Sequence, residues 1–274
     1  DRWILSQLKG TIESVNKHMA EYRFNDAAKD IYDFTWNNFC DWYIELIKPR
    51  LYGDDENKKA TAIKIAAYVL RDIVKLLHPF APFITEEIWQ SVKTDKEPDI
   101  MITDWPKTDA LPASKKAVKE MSLVMDVITA IRTIRSEMTV PPSKKADVLI
   151  GGGTPKSRDI LKAQHAYIET LGKVSQLTME EKVEQPDLSS SAVVGDLEIY
   201  VSLAGLIDVD KEKERLEKDI ASFEGRIKAV SGKLNNPNFV SRAPEQVVEH
   251  ERKKLAGYEE TLALLKENYK KLID

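Results

Sequence analysis

The sequence predicts a mostly α protein: an antiparallel helical bundle, a small α/β module and a C-terminal antiparallel coiled-coil hairpin. Three observations predict it. Apolar residues recur at three- and four-residue spacings from residue 1 to about 89 and again from 115 to about 138. Short alternating runs with glycine turns follow. The rest carries an a/d seam broken once by Asn235-Asn236-Pro237-Asn238. The expected domains are 1–143, 144–207 and 208–274.

In the first domain, Ile4, Leu8, Ile12 and Val15 form one core stripe, and Ile31, Phe34, Phe39, Trp42, Ile44 and Ile47 another. Between them Tyr22, Arg23 and Phe24 interrupt the pattern, and Asn25 reads as the N-cap of the next helix. Tyr52 to Asp55 reads as a turn, followed by a helix from Lys58 to Leu77. Pro79 and Pro82 break that helix, and Thr85, Glu86 and Glu87 suit the first turn of one reaching Trp89. This gives four helices, up and down. A proline-punctuated loop, Lys96 to Ala113, leads to a helix from Lys115 to Met138 that Pro141 and Pro142 end.

In the module, Ala146 to Ile150 reads as a strand, Gly151 to Pro155 as a turn and Ser157 to Leu171 as a helix. Ser191 to Val194 and Leu197 to Leu203 read as a hairpin turned by Gly195 and Asp196. The final seam comprises Val209, Leu216, Ile220, Phe223, Ile227, Val230 and Leu234, then Val248, Leu255, Tyr258, Leu262, Leu265, Tyr269 and Leu272. Pro244 is placed to start the second arm. Arms of about 26 residues reach roughly 40 Å, further than compact packing requires, so the hairpin projects toward a partner. A dimerisation arm is the competing reading.

Composition narrows the function. The 274 residues are 42% hydrophobic, with a net charge of −4, which argues against indiscriminate nucleic-acid binding. Yet residues 107–173 hold 12 basic and 7 acidic side chains, against 29 and 38 elsewhere, compatible with a local phosphate-facing surface. No apolar run approaches the ~20 residues that span a bilayer. Residue 1 is Asp and a helix begins at once, so a piece of something longer is expected. Cys40 is the sole cysteine, reads as core, and with the absence of a disulfide framework suggests a reducing cytoplasmic setting. His18, His78, His165 and His250 lie far apart without metal-ligand spacing. Gly151-Gly152-Gly153 lacks the Gly-Lys-Ser/Thr of a phosphate loop and reads as a strand-to-helix or hairpin turn. No catalytic constellation is assigned to this chain.

Several stretches carry a resemblance. Phe39-Cys40-Asp41-Trp42-Tyr43-Ile44-Glu45 with Lys48 and Pro49, and His78-Pro79-Phe80-Ala81-Pro82-Phe83-Ile84-Thr85-Glu86-Glu87-Ile88-Trp89, resemble the anticodon-binding helical domain of class I aminoacyl-tRNA synthetases of the valyl, isoleucyl and leucyl group. The opening Asp1-Arg2-Trp3-Ile4-Leu5 is similar to the start of that domain. The run Ile131-Arg132-Thr133-Ile134-Arg135-Ser136-Glu137-Met138-Thr139-Val140-Pro141-Pro142-Ser143-Lys144 and the tip Asn236-Pro237-Asn238-Phe239-Val240-Ser241-Arg242-Ala243-Pro244 resemble the valyl-tRNA synthetase family within that group. One cysteine cannot supply the cysteine-ligated zinc module expected of an isoleucyl enzyme. The terminal hairpin sets the valyl group apart from the leucyl. The family's His-Ile-Gly-His and Lys-Met-Ser-Lys-Ser signatures are absent.

The resemblance implies a parent enzyme that uses ATP and magnesium to ligate valine to tRNA(Val) and that edits mischarged threonine, through catalytic and editing domains upstream of residue 1. This portion would hold tRNA without a cofactor, as a cytoplasmic monomer. Unstacked anticodon bases need aromatic rings, amides and cations, which should gather at one end of the bundle. The candidates are Tyr22, Arg23 and Phe24 with Asn25, Asn37 and Asn38 in mid-helix, and Lys48 and Arg50. For each the competing reading is structural: a hydrophobic staple at Phe24, solvation of the asparagines, helix-dipole compensation by Lys48 and Arg50. Arg132, Arg135 and Lys144 are candidates for the tRNA body or an interdomain contact, with an intramolecular salt bridge to Glu137 or to an acid of the catalytic domain as the rival for the arginines. For the outer corner of tRNA the candidates are Arg215, Arg226, Lys233 and Arg242, among off-seam cations that include Lys218, Lys228, Arg252 and Lys253. An isoleucyl or leucyl fragment, or a coiled-coil scaffold for proteins, is the alternative.

Overall fold

The computed structural model describes residues 1–206, 208–236, 239 and 244–272. It is mostly helical, with one four-stranded sheet and a final pair of long helices, as the sequence predicts. The chain divides into two compact units, Asp1–Leu123 and Val124–Asp274.

The first unit holds α1 (Arg2–Ala20), α2 (Phe24–Asp33), a π-helical stretch (Phe34–Tyr43), α3 (Ile44–Leu51), α4 (Glu56–Leu77) and α5 (Pro82–Val92). From α2 to α3 the chain is one continuous helical path, so four helices pack as expected. The core comes from Ile4, Leu8, Ile12 and Val15 of α1 and from Ile31, Phe34, Phe39, Tyr43, Leu46 and Ile47 along that path. Tyr43, not Trp42, is the core residue. The wider i→i+5 winding makes residues five and four apart, Phe34, Phe39 and Tyr43, share a face, which an α-helical spacing misses.

Two boundaries also differ from expectation. Helix α2 begins at Phe24 with Arg23 at the N-cap, so Asn25 lies inside the first turn. Helix α5 begins at Pro82, the favoured first position, which leaves Thr85 inside the helix, fully buried, its Oγ1 donating to Ala81 O at 2.7 Å. Asp55 caps α4 by accepting from the amides of Asn57 and Lys58. Trp89 of α5 is fully buried against Val74 and Ile100, and its Nε1 donates to Pro98 O at 3.0 Å.

Beyond α5, Glu97 closes a turn by accepting from Thr94 N at 2.7 Å and pairs with Arg71. The Thr94 amide bond first, then Arg71, holds its carboxyl down at about 2. A depressed carboxyl contributes stability above its unfolded value of 4.5 and loses it as pH falls toward about 2. In acid titrations from pH 5 to 2, Glu97→Gln should therefore lose less stability than the unaltered chain; parallel curves would contradict this.

The second unit contains most of α6 (Lys115–Glu137), then β1 (Ala146–Gly152), α7 (Pro155–Ala163), α8 (His165–Gly172), β2 (Val174–Met179), β3 (Ser189–Val194) and β4 (Leu197–Ser202). Sheet order is β2-β1-β4-β3, with β1 parallel to β2 and the other pairings antiparallel. The expected Ser157–Leu171 helix is two, broken at Gln164. Gly152 and Gly153 make the strand-to-helix turn at φ 73° and 71°, and a Cβ on Gly152 would stand 2.7 Å from Asp196 O. Strand β2 has no counterpart in the sequence reading. It is an edge strand with exposed Ser175 and Gln176, so it lacks the alternation of a half-buried strand.

Helices α9 (Val209–Leu234) and α10 (Glu245–Lys271) close the chain. Tyr269 Oη donates to Glu217, Lys266 pairs with Glu224, and Lys233 meets Glu251, so one helix descends as the other climbs. Leu216, Val230, Val248 and Leu272 are buried in the seam, and its middle is half-buried. Among the described residues no helix is long and apolar enough to cross a membrane, and no three His, Cys, Asp or Glu side chains gather as a metal site.

Candidate nucleic-acid interface

At the far end of α1 the chain reverses in a Schellman turn: Arg23 N donates to His18 O and Tyr22 N to Met19 O. The residue at the left-handed position is normally glycine, yet here it is Tyr22, with φ 58° and 81% exposed. An aromatic ring on strained backbone and open to solvent is where function is sought. Phe24 meets it edge-on at 6.2 Å and is itself half exposed. The Arg23 guanidinium lies between Asp26, at 2.7 Å, and Glu21, at 3.3 Å. Its bond to Asp26 raises its pKa further. Cation and rings therefore share one exposed turn.

The aromatic surface continues in residues that sequence reasoning missed. Tyr32 and Trp36 are 60% and 51% exposed and meet edge-on at 6.4 Å. With Asn25 and Lys29 they are spaced four, three and four residues apart, on the side opposite buried Ala27 and Ile31. The signal was available: both rings fall off the apolar stripe, and large aromatics outside a core stripe are surface groups. From Asn25 to Trp36 this face runs about 16 Å at helical rise, with Phe24 and Tyr22 in the turn at its start.

The other bundle candidates lie elsewhere, and the expectation that all gather at one end is corrected. Arg50 donates to both carboxylate oxygens of Asp1 at 2.7 and 2.8 Å, and Tyr43 Oη donates to Asp1 at 2.9 Å. This sets Arg50 beside the start of α1, roughly 28 Å along that helix from Tyr22. Lys48, two residues earlier, pairs with Glu45 at 2.5 Å. Asn37 is exposed, and Asn38 borders a polar cleft of about 270 Å³ with Gln7, Ser14 and Asp30. Cys40 is half-buried, and desolvation raises its thiol pKa, away from thiolate chemistry.

In the second unit, Arg132 Nε donates to Leu171 O at 2.9 Å. Arg135 is 7% exposed and donates to the carbonyls of Lys144 (2.7 Å), Pro141 (3.4 Å) and Lys173 (3.4 Å). Both arginines thus donate to backbone carbonyls of the turn and of the α8–β2 connection. Burial lowers the Arg135 pKa from its ordinary value. Lys144 Nζ donates to Gly205 O and Leu206 O at 2.8 and 3.0 Å. Arg132, Arg135, Thr139, Pro142 and Lys173 line one open cleft of about 740 Å³.

Along the hairpin the cations are unequally neutralised. Arg215 bonds Glu212 and Asp219, and Lys218 bonds Glu214. Further out, Lys233 is 3.9 Å from Glu251. Arg226 lies over the Phe223 ring at 5.0 Å and Tyr258 at 6.0 Å, an arrangement that holds a guanidinium without cancelling its charge. Lys228, Arg252 and Lys253 are exposed. Arg242 lies outside the described residues.

A helical unit with exposed aromatics, followed by a sheet and a charge-balanced hairpin that carries exposed cations, has the parts expected of an RNA-holding module. Residues 1–150 match the family profile described as the anticodon-binding domain of tRNA ligase, and the chain belongs to that family. Residues 208–273 match the profile of the valyl tRNA synthetase tRNA binding arm, so its two matched segments are those of the tRNA-binding part of valyl-tRNA synthetases. Similar proteins include the valine–tRNA ligases of Syntrophotalea carbinolica (41% identical over 99% of this chain), Geobacter sulfurreducens (43% over 93%) and Geobacillus stearothermophilus (40% over 94%). The chain spans about 30% of the length of these relatives.

Proposed function

We propose that this chain supplies the tRNA grip of an enzyme that ligates valine to tRNA(Val) with ATP and magnesium and clears mischarged threonine. The enzyme works as a cytoplasmic monomer, and its catalytic and editing domains belong to the same polypeptide. The bundle receives the anticodon and the hairpin leans on the outer corner of the tRNA. The observation that carries this reading is the two exposed aromatic pairs, Tyr22 with Phe24 in the turn and Tyr32 with Trp36 along the helix, beside Arg23 and Lys29. Unstacked bases find ring faces there and phosphates find cations. Within the predicted set, Tyr22, Arg23 and Phe24 form the turn at the start of α2, Asn37 flanks Trp36, Arg50 holds the start of α1 through Asp1, and Lys48 pairs with Glu45. Arg226 and Lys233 are the hairpin's corner contacts, with Arg242 beyond the described residues, while Arg215 stiffens the root.

Alanine at Trp36 should weaken binding of the isolated valine anticodon stem-loop about tenfold, the loss of one stacked base. Arg226→Ala should leave that stem-loop unaffected but lower affinity for whole tRNA and reduce the salt slope by about one. Unchanged stem-loop affinity in both Trp36→Ala and Tyr22→Ala would contradict the assignment of this face. Oligomer dissociation on altering the hairpin, without loss of RNA binding, would favour a protein-interaction arm.

A further inference from the structure

We propose that Lys144, with Thr139 and Glu212, is a clasp fixing the direction in which the hairpin leaves the sheet unit, and is thereby a positioning residue for tRNA. This rests on the reading that the hairpin binds RNA. After α6 the chain turns through Thr139, itself at φ 52°, and Arg135 fastens that turn through the carbonyls of Pro141 and Lys144. The Lys144 side chain then reaches 61 and 62 residues ahead, to the carbonyls of Gly205 and Leu206 in the turn just before α9. Gly205 adopts φ 68°, so this turn contains a residue with wide backbone freedom. A second tie lies one turn into the hairpin: Thr139 Oγ1 is 3.5 Å from Glu212 Oε1. Glu212 is buried and held by Arg215 at 2.5 Å.

The α10 side of the hairpin's root is open by comparison. There Glu267 and Lys270 share a cleft of about 490 Å³ with Gln185, Asp187 and Ser191. Leu216, Asn268 and Leu272 are buried at this root, with the cleft beside them. The ties of Lys144 and Thr139 act at the same base, where a long hairpin multiplies any angular change.

The test uses the full chain with Cys40 replaced by Ser and spin labels at Val193→Cys and Ala229→Cys, both exposed. Pulsed electron resonance reads the sheet-to-hairpin distance distribution, and titration reads affinity for a tRNA(Val) transcript. Lys144→Met should broaden the distribution and weaken tRNA about fivefold, as if the competent orientation were populated one time in five. Lys144→Arg, which can still donate to two carbonyls, should restore both, and adding Glu212→Gln to Lys144→Met should cost less than the two effects combined. A narrow, unshifted distribution in Lys144→Met overturns the proposal, and affinity loss with that distribution would make Lys144 a direct RNA contact. A broadened distribution with full affinity also overturns it, provided Arg226→Ala still weakens tRNA. If Arg226→Ala and Lys233→Ala have no effect either, the RNA reading of the hairpin has failed, and the positioning role falls with it.

Discussion

Trp89→Ala is expected to lower the melting temperature of the helical unit by roughly 10–15 °C, from a loss of about 3–5 kcal/mol. Trp89 is fully buried, and no smaller residue fills the space bounded by Val74, Ile100, Leu70 and Val92. Its indole also satisfies Pro98 O, and Arg71 and Lys75 stand over its ring at 4.9 and 5.3 Å. Removing it leaves a cavity, a carbonyl without its donor and two cations without a ring. Trp89→Phe keeps most of the apolar volume and should recover more than half of the loss. A shift below about 3 °C for alanine, by circular dichroism, would mean that Trp89 does not anchor α5.

Arg135→Met should cost the sheet unit about 2–3 kcal/mol, because several carbonyls lose a charged donor in a buried place. Methionine keeps the length and apolar contact of the side chain, so the loss isolates the hydrogen bonds. Lysine should not rescue it, since an ammonium cannot reproduce a planar fork facing carbonyls in several directions. The urea midpoint should fall with an unchanged slope. An unchanged midpoint would show that the turn after α6 holds without this arginine.

These two residues also show how legible the chain is. The helix that carries Trp89 was readable from the prolines before it, although its start lies at Pro82 and not at Thr85. The helices, the β3–β4 hairpin and the seam were readable for the same reason: period and punctuation are local properties. Tyr43 was not, because π-helical winding changes the period and no residue announces it. Strand β2 was not, because an edge strand need not alternate. In the candidate site, Tyr22, Arg23 and Phe24 stood out as an aromatic and basic break in a helical pattern, and the structure places them in one exposed turn. For Arg50 and Arg135 the RNA and structural readings stayed open because an arginine's identity does not reveal its intramolecular partner. Asp1 is 49 residues from Arg50, and Lys173 is 38 from Arg135. Tyr32 and Trp36 lie off the apolar stripe, a legible signal that attention to the stripe itself passed over.

The most direct test of the central claim is a titration of this chain with tRNA carrying the valine anticodon and with the same tRNA altered only in its anticodon, at low and moderate salt. The account predicts tighter binding of the valine anticodon, falling steeply with salt for both RNAs. Equal affinity for the two, or binding that ignores salt, would contradict it.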